Sequence, residues 1–288
     1  MDVTTDPDTS TFEAQRDAIK ALAYRMLGDT ASAEDIVQDT WLRWCRRAEP
    51  VVDPRAYLLT IAARLCLNQL TSARVRHEDP RAWLPEPIAG EAAGFELAEQ
   101  VSMAFLVALQ RLTPAERAVL LLHEVFDFGH AEIAALLDKT EPNTRQLLKR
   151  ARDAVADQRR IATASPEEHR RLLRAFHSAA RTGDVAALSS LLADDALLIT
   201  DGGTAGVRSG RVRNLVRPLR GARKITAFLT AADTTQWADA RDHMLNGQPA
   251  LVVYREGRPL AAMFLAIADG RIVQIFLQAD PERLRHLV

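Results

Sequence analysis

The apolar period of this chain changes near residue 165, and that change constrains the fold more than any other feature. Before it, large apolar side chains recur every three or four residues, as on one face of a helix. After it they alternate, as along a strand. Helices first and hairpins afterwards exclude a single α/β layer and point to all-α domains followed by an α+β domain. At 288 residues the chain has room for two or three domains of ordinary size.

In the helical half, Phe12 to Leu27 carries apolar residues at helical spacing and stops at Gly28, a natural helix-ending residue. Ser32 is the expected cap of a second helix running through Val37, Trp41 and Trp44. Asp53-Pro54 opens a third, reaching about Ser72. Residues 77–95, HEDPRAWLPEPIAGEAAGF, break the pattern and form a linker. Trp83-Leu84-Pro85-Glu86-Pro87 is too apolar and too stiff for a passive tether, so this segment is expected to dock. Helices return over 96–162, with a capping box at Thr113 to Glu116. There the stretch HAEIAALLDKTEPNTRQLLKRARDAV divides into a short helix, a tight polar turn and a longer basic helix capped by Thr140. That is helix-turn-helix spacing. One stripe of the second helix (Thr144, Leu148, Ala151, Val155) is expected inside, leaving Asn143, Arg145, Gln146, Lys149 and Arg152 outside.

Beyond the capping residue Ser165 come two helices, then alternating segments at 196–200, 207–216, 237–245, 250–254, 260–268 and 271–277, interrupted by a helix near 222–231. Asp201-Gly202-Gly203, Asn246-Gly247, Glu256-Gly257 and Asp269-Gly270 mark the turns of a meandering antiparallel sheet.

Charge narrows the partners. A net charge of −1 excludes an all-over cationic coat, yet charges cluster locally. Asp29 to Asp39 holds only acids, Arg64 to His77 holds no acid, and Arg145 to Arg160 is strongly basic. One acidic and two basic helices predict a protein partner and a nucleic-acid partner. No apolar run approaches the roughly 20 residues of a membrane span, the N-terminus lacks an export pattern, and Cys45 and Cys66 have no metal-site spacing. The expectation is a cytoplasmic protein with no cofactor, no metal and no membrane partner.

Three blocks, AYRMLGDTASAEDIVQDTWLRW (23–44), DPRAYLLTIAARLCLNQLTSARVR (53–76) and LTPAERAVLLLHEVFDFGHAEIAALLDKTEPNTRQLLKRAR (112–152), resemble extracytoplasmic-function sigma factors in order and spacing. ITDGG, NGQPALVVY, DGRIVQIF and DPERL resemble a SnoaL-like domain of the nuclear-transport-factor superfamily, helices on a curved sheet. With WLPEP between them, the combination resembles a subgroup whose fused domain replaces a separate anti-sigma protein. The resemblance implies a region-2 domain at 10–76, the linker at 77–95, a region-4 domain at 96–162 and a regulatory domain at 165–288.

It also implies roles. Glu34, Asp35, Gln38 and Asp39 would bind core RNA polymerase. Arg55, Tyr57, Arg64, Asn68, Arg74 and Arg76 would open and hold the −10 element of promoter DNA, supplying stacking surface and cations. Asn143, Arg145, Gln146, Lys149, Arg150 and Arg152 would face the −35 element, with Arg145, Gln146 and Lys149 toward base edges and the other arginines toward phosphate. The linker pentapeptide and Asp201, Gly202 and Gly203 would form the regulatory contact. In the last domain Asp195, Asp201, Asp242 and His243 are the residues that could act as a base, but Asp242 and His243 are adjacent on a strand and point to opposite faces. No nucleophile–base set is evident, so no catalytic residue is assigned. A small-molecule ligand in this domain, a ligand-sensing helix-turn-helix regulator, and an enzymatic C-terminal half remain as rival readings; oligomeric state is open.

Overall fold

The computed structural model describes residues 7–75, 84–89, 101–161, 164–203, 208–209, 212–213, 215, 217–231 and 234–287. They group into two compact units. The first holds helices α1 (Pro7–Leu27), α2 (Thr30–Cys45) and α3 (Pro54–Val75), the end of α4 (Met103–Arg111) from Ala108, then α5 (Pro114–Glu124), α6 (His130–Leu137) and α7 (Glu141–Ile161) as far as Ala156. The second holds residues 84–89, α4 up to Val107, and everything from α8 (Pro166–Thr182) onward.

Local chemistry sets most helix ends. Gly28 takes a left-handed φ of 76° and closes α1 through its N–H to Tyr24 O. Asp29, rather than the expected Ser32, caps α2: its Oδ1 accepts the Ser32 N–H at 2.6 Å. Asp53 Oδ1 accepts the Ala56 N–H at the start of α3. Thr113 and Glu116 exchange both bonds of a capping box at α5. Ile19, Leu22, Met26, Leu58, Leu59 and Leu121 are fully buried in the first unit.

In the second unit α8 and α9 (Val185–Leu191) precede β1 (Leu192–Asp201). Two short pairs follow, β2 (Arg208–Ser209) with β3 (Val212–Arg213), and β4 (Leu219–Arg220) with β1. Then come α10 (Ala222–Ala231), a 3-10 turn (Thr234–Asp239), the strands β5 (Ala240–Leu245), β6 (Gln248–Arg255), β7 (Arg258–Ala268) and β8 (Arg271–Gln278), and α11 (Pro281–Leu284). The open sheet has the order β4-β1-β8-β7-β6-β5. Three Xaa-Gly turns join β5 to β8, each pair at left-handed φ: Asn246 52° and Gly247 66°, Glu256 53° and Gly257 76°, Asp269 50° and Gly270 72°. That geometry matches strand twist, and local sequence announces it.

The structure corrects three expectations. The sheet is mixed, not antiparallel throughout: β1 lies parallel to β8, from Leu197 opposite Gln274 to Asp201 opposite Gln278. The helix and three hairpins between them supply the long crossover that a parallel pair requires. Trp237 is not in a strand but in the 3-10 turn, buried against Phe176. The expected strand over 207–216 reduces, among its described residues, to the β2–β3 pair.

The sheet is also buried on both faces. Leu198, Leu251, Val253, Met263 and Ile275 meet α8, α10 and Trp237 on one side. Ala250, Val252, Tyr254, Phe264 and Phe276 face the other way, where Leu84, Met103, Ala104 and Val107 cover them with Leu284 and Leu287. A register shift in the β7–β8 pair, where Ala266 opposes Gln274 and Ile267 opposes Ile272, leaves Val273 as an extra residue and places Ile272 and Ile275 on the same face.

Candidate nucleic-acid and polymerase interfaces

On α2, Asp35, Gln38 and Asp39 are exposed and share one face by their three- and four-residue spacing. Leu42 extends the same face and is 47% exposed, an apolar neighbour that charge counting missed. Glu34 has a different environment. Its carboxylate binds Arg16 and, at 3.1 Å, Lys20, both on α1.

On α3, Arg55, Arg64 and Asn68 are exposed, and Tyr57 is half-buried with its ring 6.1 Å from that of Trp44. Arg55 Nη1 donates to Phe126 O at 3.4 Å, and Arg64 donates to Leu136 O and Ala135 O at 3.4 and 3.5 Å. Arg74 lies in the last turn of α3, its side chain outside the described residues, as is Arg76 altogether.

The helix-turn-helix is built as its spacing implies. Gly129 opens α6 with its N–H on Glu132 Oε2, and Asp138 turns the chain at φ 52°. Thr140 accepts from Asn143 and Thr144 at the start of α7. Thr144, Leu148, Ala151 and Val155 are buried, while Asn143, Arg145, Gln146, Lys149, Arg150 and Arg152 are exposed. Two of these carry acidic partners: Arg145 with Glu141 at 2.6 Å, and Arg152 with Glu124, whose Oε1 accepts the Arg152 Nε at 2.7 Å. Beside them the rings of His123 and His130 lie 4.8 Å apart; partial burial, with His123 and Arg145 adjacent, holds the His130 pKa below its ordinary value.

The linker residues 84–88 are buried in the second unit, and its polar groups satisfy them. Leu84 N–H donates to Asp201 Oδ2 at 2.8 Å, while Leu84 O accepts from Gln278 Nε2 and Arg283 Nη1, each at 3.0 Å. Asp201 also accepts from Gln278 and, through Oδ1, from the Gly203 N–H. A side chain at Gly203 would collide with the Asp280 carboxyl, and its φ of 65° suits glycine. Farther along, Ile88 and Asn246 exchange two bonds, Asn246 N to Ile88 O at 2.8 Å and Ile88 N to Asn246 Oδ1 at 3.1 Å. Buried Glu86 lies 3.1 Å from His286 Nε2. Trp83 lies outside the described residues. Gln278, Arg283, Asn246 and His286 were missed from sequence, because nothing local marks a partner almost 200 positions away.

The remaining acid–base residues of the second unit are dispersed. Asp195 is exposed, 3.8 Å from Arg220, and Asp242 is exposed on β5. His243 bonds the Tyr254 hydroxyl at 2.9 Å; burial and nearby Arg241 hold its pKa below the ordinary value. Among the described residues no group of three or more His, Cys, Asp and Glu is arranged to hold a metal, and no helix is long and apolar enough to cross a membrane.

Comparison with known proteins agrees with this geometry. The family "Sigma-70 region 2" matches residues 11–76, and "Sigma-70, region 4" matches 102–155. The chain is 36% identical to the ECF RNA polymerase sigma factor SigJ of Mycobacterium tuberculosis, across 96% of this chain and 93% of that protein. It is 31% identical to the probable ECF RNA polymerase sigma factor SigI of the same organism, across 97% and 95%. The crystal structure of M. tuberculosis SigJ superposes with a TM-score of 0.73 at 29% identity, covering 96% of this chain and 98% of that one. Full-length likeness in sequence and in structure, with both sigma-70 regions in place, has one meaning: the chain belongs to the extracytoplasmic-function RNA polymerase sigma factors.

Proposed function

We propose that this sigma factor is regulated in cis, by its C-terminal unit holding the segment that joins its two promoter-reading regions. As an alternative sigma factor the chain directs RNA polymerase to promoters and starts transcription there. In our reading Asp35, Gln38 and Asp39 with Leu42 dock on core polymerase, their charge setting register and encounter rate more than affinity. The α3 face holds the opened −10 strand. The exposed face of α7 enters the −35 major groove, with Arg145, Gln146 and Lys149 toward base edges and Arg150 and Arg152 toward phosphates.

One observation carries the regulatory part: both backbone polar groups of Leu84 are taken by Asp201, Gln278 and Arg283. A tether needs no such satisfaction, whereas a docked segment must pair every buried polar group. Burying Leu84 contributes about 2 kcal/mol at ordinary transfer values, enough to bias a two-state equilibrium about thirtyfold. The test is transcription from a cognate promoter by reconstituted holoenzyme carrying Asp201→Ala. Altered output with unchanged binding to core polymerase supports cis control. Unchanged output removes it and leaves the sigma assignment intact.

A further inference from the structure

Helix α8 of the second unit has two faces of opposite chemistry. One, with Leu172, Leu173, Phe176, Ala179 and Ala180, is buried in the core against the sheet. On the other, Arg170, Arg171, Arg174 and Arg181 are exposed, and at helical spacing they fall within an arc of about 100°. The stripe they form is about 16 Å long at the rise of a helix. Acids are confined to its start: Glu167 and Glu168 lie in the first turn, where Glu167 pairs with Arg170 at 3.4 Å. The next acid along the chain, Asp184, caps α9 through the Ala187 N–H. Among the described residues no acid pairs with Arg171, Arg174 or Arg181. Like charges three and four residues apart repel, so this row destabilises its own helix and has its natural complement in an external anion.

The composition of the face selects the partner. Duplex DNA carries one phosphate charge per about 1.7 Å of its axis, so a stripe of about 16 Å matches the backbone of about five base pairs. Guanidinium groups bind phosphate oxygens through paired N–H donors, and exposed Ser178 on the same face adds a hydroxyl of the kind that contacts DNA backbones. Ala175 is the largest apolar side chain in the stripe, whereas a protein partner would call for aromatic or aliphatic anchors.

We propose that the arginine face of α8 grips the promoter backbone beside the −35 element, a sequence-independent contact made by the C-terminal unit. The inference rests on reading α7 as the −35 helix. Only residues 162–165 separate the end of α7 from the start of α8, and they span at most about 17 Å. The chain therefore keeps α8 within reach of any duplex that α7 enters. Contacts of this kind add affinity and fix position without reading bases.

The test uses holoenzyme reconstituted from the full-length protein and core polymerase, bound to a cognate promoter duplex over a range of salt concentrations. Arg171→Gln, Arg174→Gln and Arg181→Gln together should flatten the slope of log affinity against log salt by about 2.7, since each lost phosphate contact removes about 0.9. The loss should be the same on promoters altered in the −35 element. Hydroxyl-radical protection beside that element should shrink by about five base pairs. Lysine at the same three positions should restore the slope, because the charge is kept. An unchanged slope and footprint in the glutamine variant overturns the proposal. So does a loss that appears already in binding to core polymerase without DNA, which would make the face a polymerase contact. If the triple variant does not fold, Arg174→Gln alone decides: a slope smaller by about 0.9 supports the contact, and no change overturns it. Arg145→Ala with Lys149→Ala on α7 keeps the two readings apart. Promoter binding that survives this pair but weakens with the glutamine variant would keep the α8 contact and refute the −35 assignment instead.

Discussion

Leu84 and Asp201 are 117 positions apart in the chain, yet the backbone N–H of one donates to the buried carboxylate of the other at 2.8 Å. Asp201→Ala should leave that N–H and the Gly203 N–H without their acceptor, and the Gln278 amide with only Leu84 O, costing about 1–3 kcal/mol. Asp201→Asn, which keeps one acceptor oxygen, should cost less. Hydrogen exchange at the Leu84 amide and urea unfolding check both. Full protection of that amide in Asp201→Ala would show that the docked segment is held some other way.

The acidic helix separates two roles that its sequence merges. Asp35→Lys with Asp39→Lys should abolish binding to core polymerase and leave the melting temperature near that of the parent. Glu34→Gln should do the reverse, retaining binding while losing about 0.5–1 kcal/mol, because the partners it abandons, Arg16 and Lys20, are in its own fold. Pull-down with core enzyme and a thermal melt distinguish them; equal loss of polymerase binding in both variants would place Glu34 in the interface.

On α7, Arg145→Ala should cost roughly 1–3 kcal/mol and flatten preference at one −35 base pair, whereas Arg152→Ala should weaken every promoter alike. Binding to a panel of single-base promoter variants at fixed salt gives the answer. If the two substitutions produce the same sequence-independent loss, Arg145 is a phosphate contact.

Protonation gives a prediction for the second unit. Burial lowers the His169 pKa from 6.5 to about 4, and its Nε2 is buried without a hydrogen-bond partner. Between those values the unfolded chain binds a proton that the folded unit refuses, so stability should fall as pH drops from about 6.5 to 4. Above that window the histidine is neutral in both states and adds no slope. Melting curves across the window should steepen for the parent and flatten for His169→Phe; identical slopes would assign the acid sensitivity to other groups.

What was legible in the sequence was local. Asn246-Gly247 and Asp269-Gly270 announce their hairpins because turn geometry is decided within four residues. The helix-turn-helix stripe from Thr144 to Val155 shows because its period is 3.6. The apolar Trp83-Leu84 pair inside a linker suggested docking, but Gln278 and Arg283 carry no local mark as partners of Leu84. Two-sided burial of β6 and β7 was hidden because their second cover, Met103, Ala104 and Val107, comes from a helix read as belonging to another domain. The parallel pairing of β1 with β8 was invisible for the same reason: about 70 residues intervene, and strand patterns do not name partners.

The cover of that second sheet face has a consequence in time. Leu84 to Val107 leaves the ribosome well before the strands it shields. At ordinary synthesis rates of about 5–20 residues per second, the roughly 170 residues between Val107 and Gln278 take about 10–30 s. Until β6 and β7 emerge late in that interval, Leu84, Met103 and Val107 have no native surface to rest on, although the helical half is already out. The nascent chain therefore completes its helical half before this cover can form, and the cover is complete only when the last strand arrives.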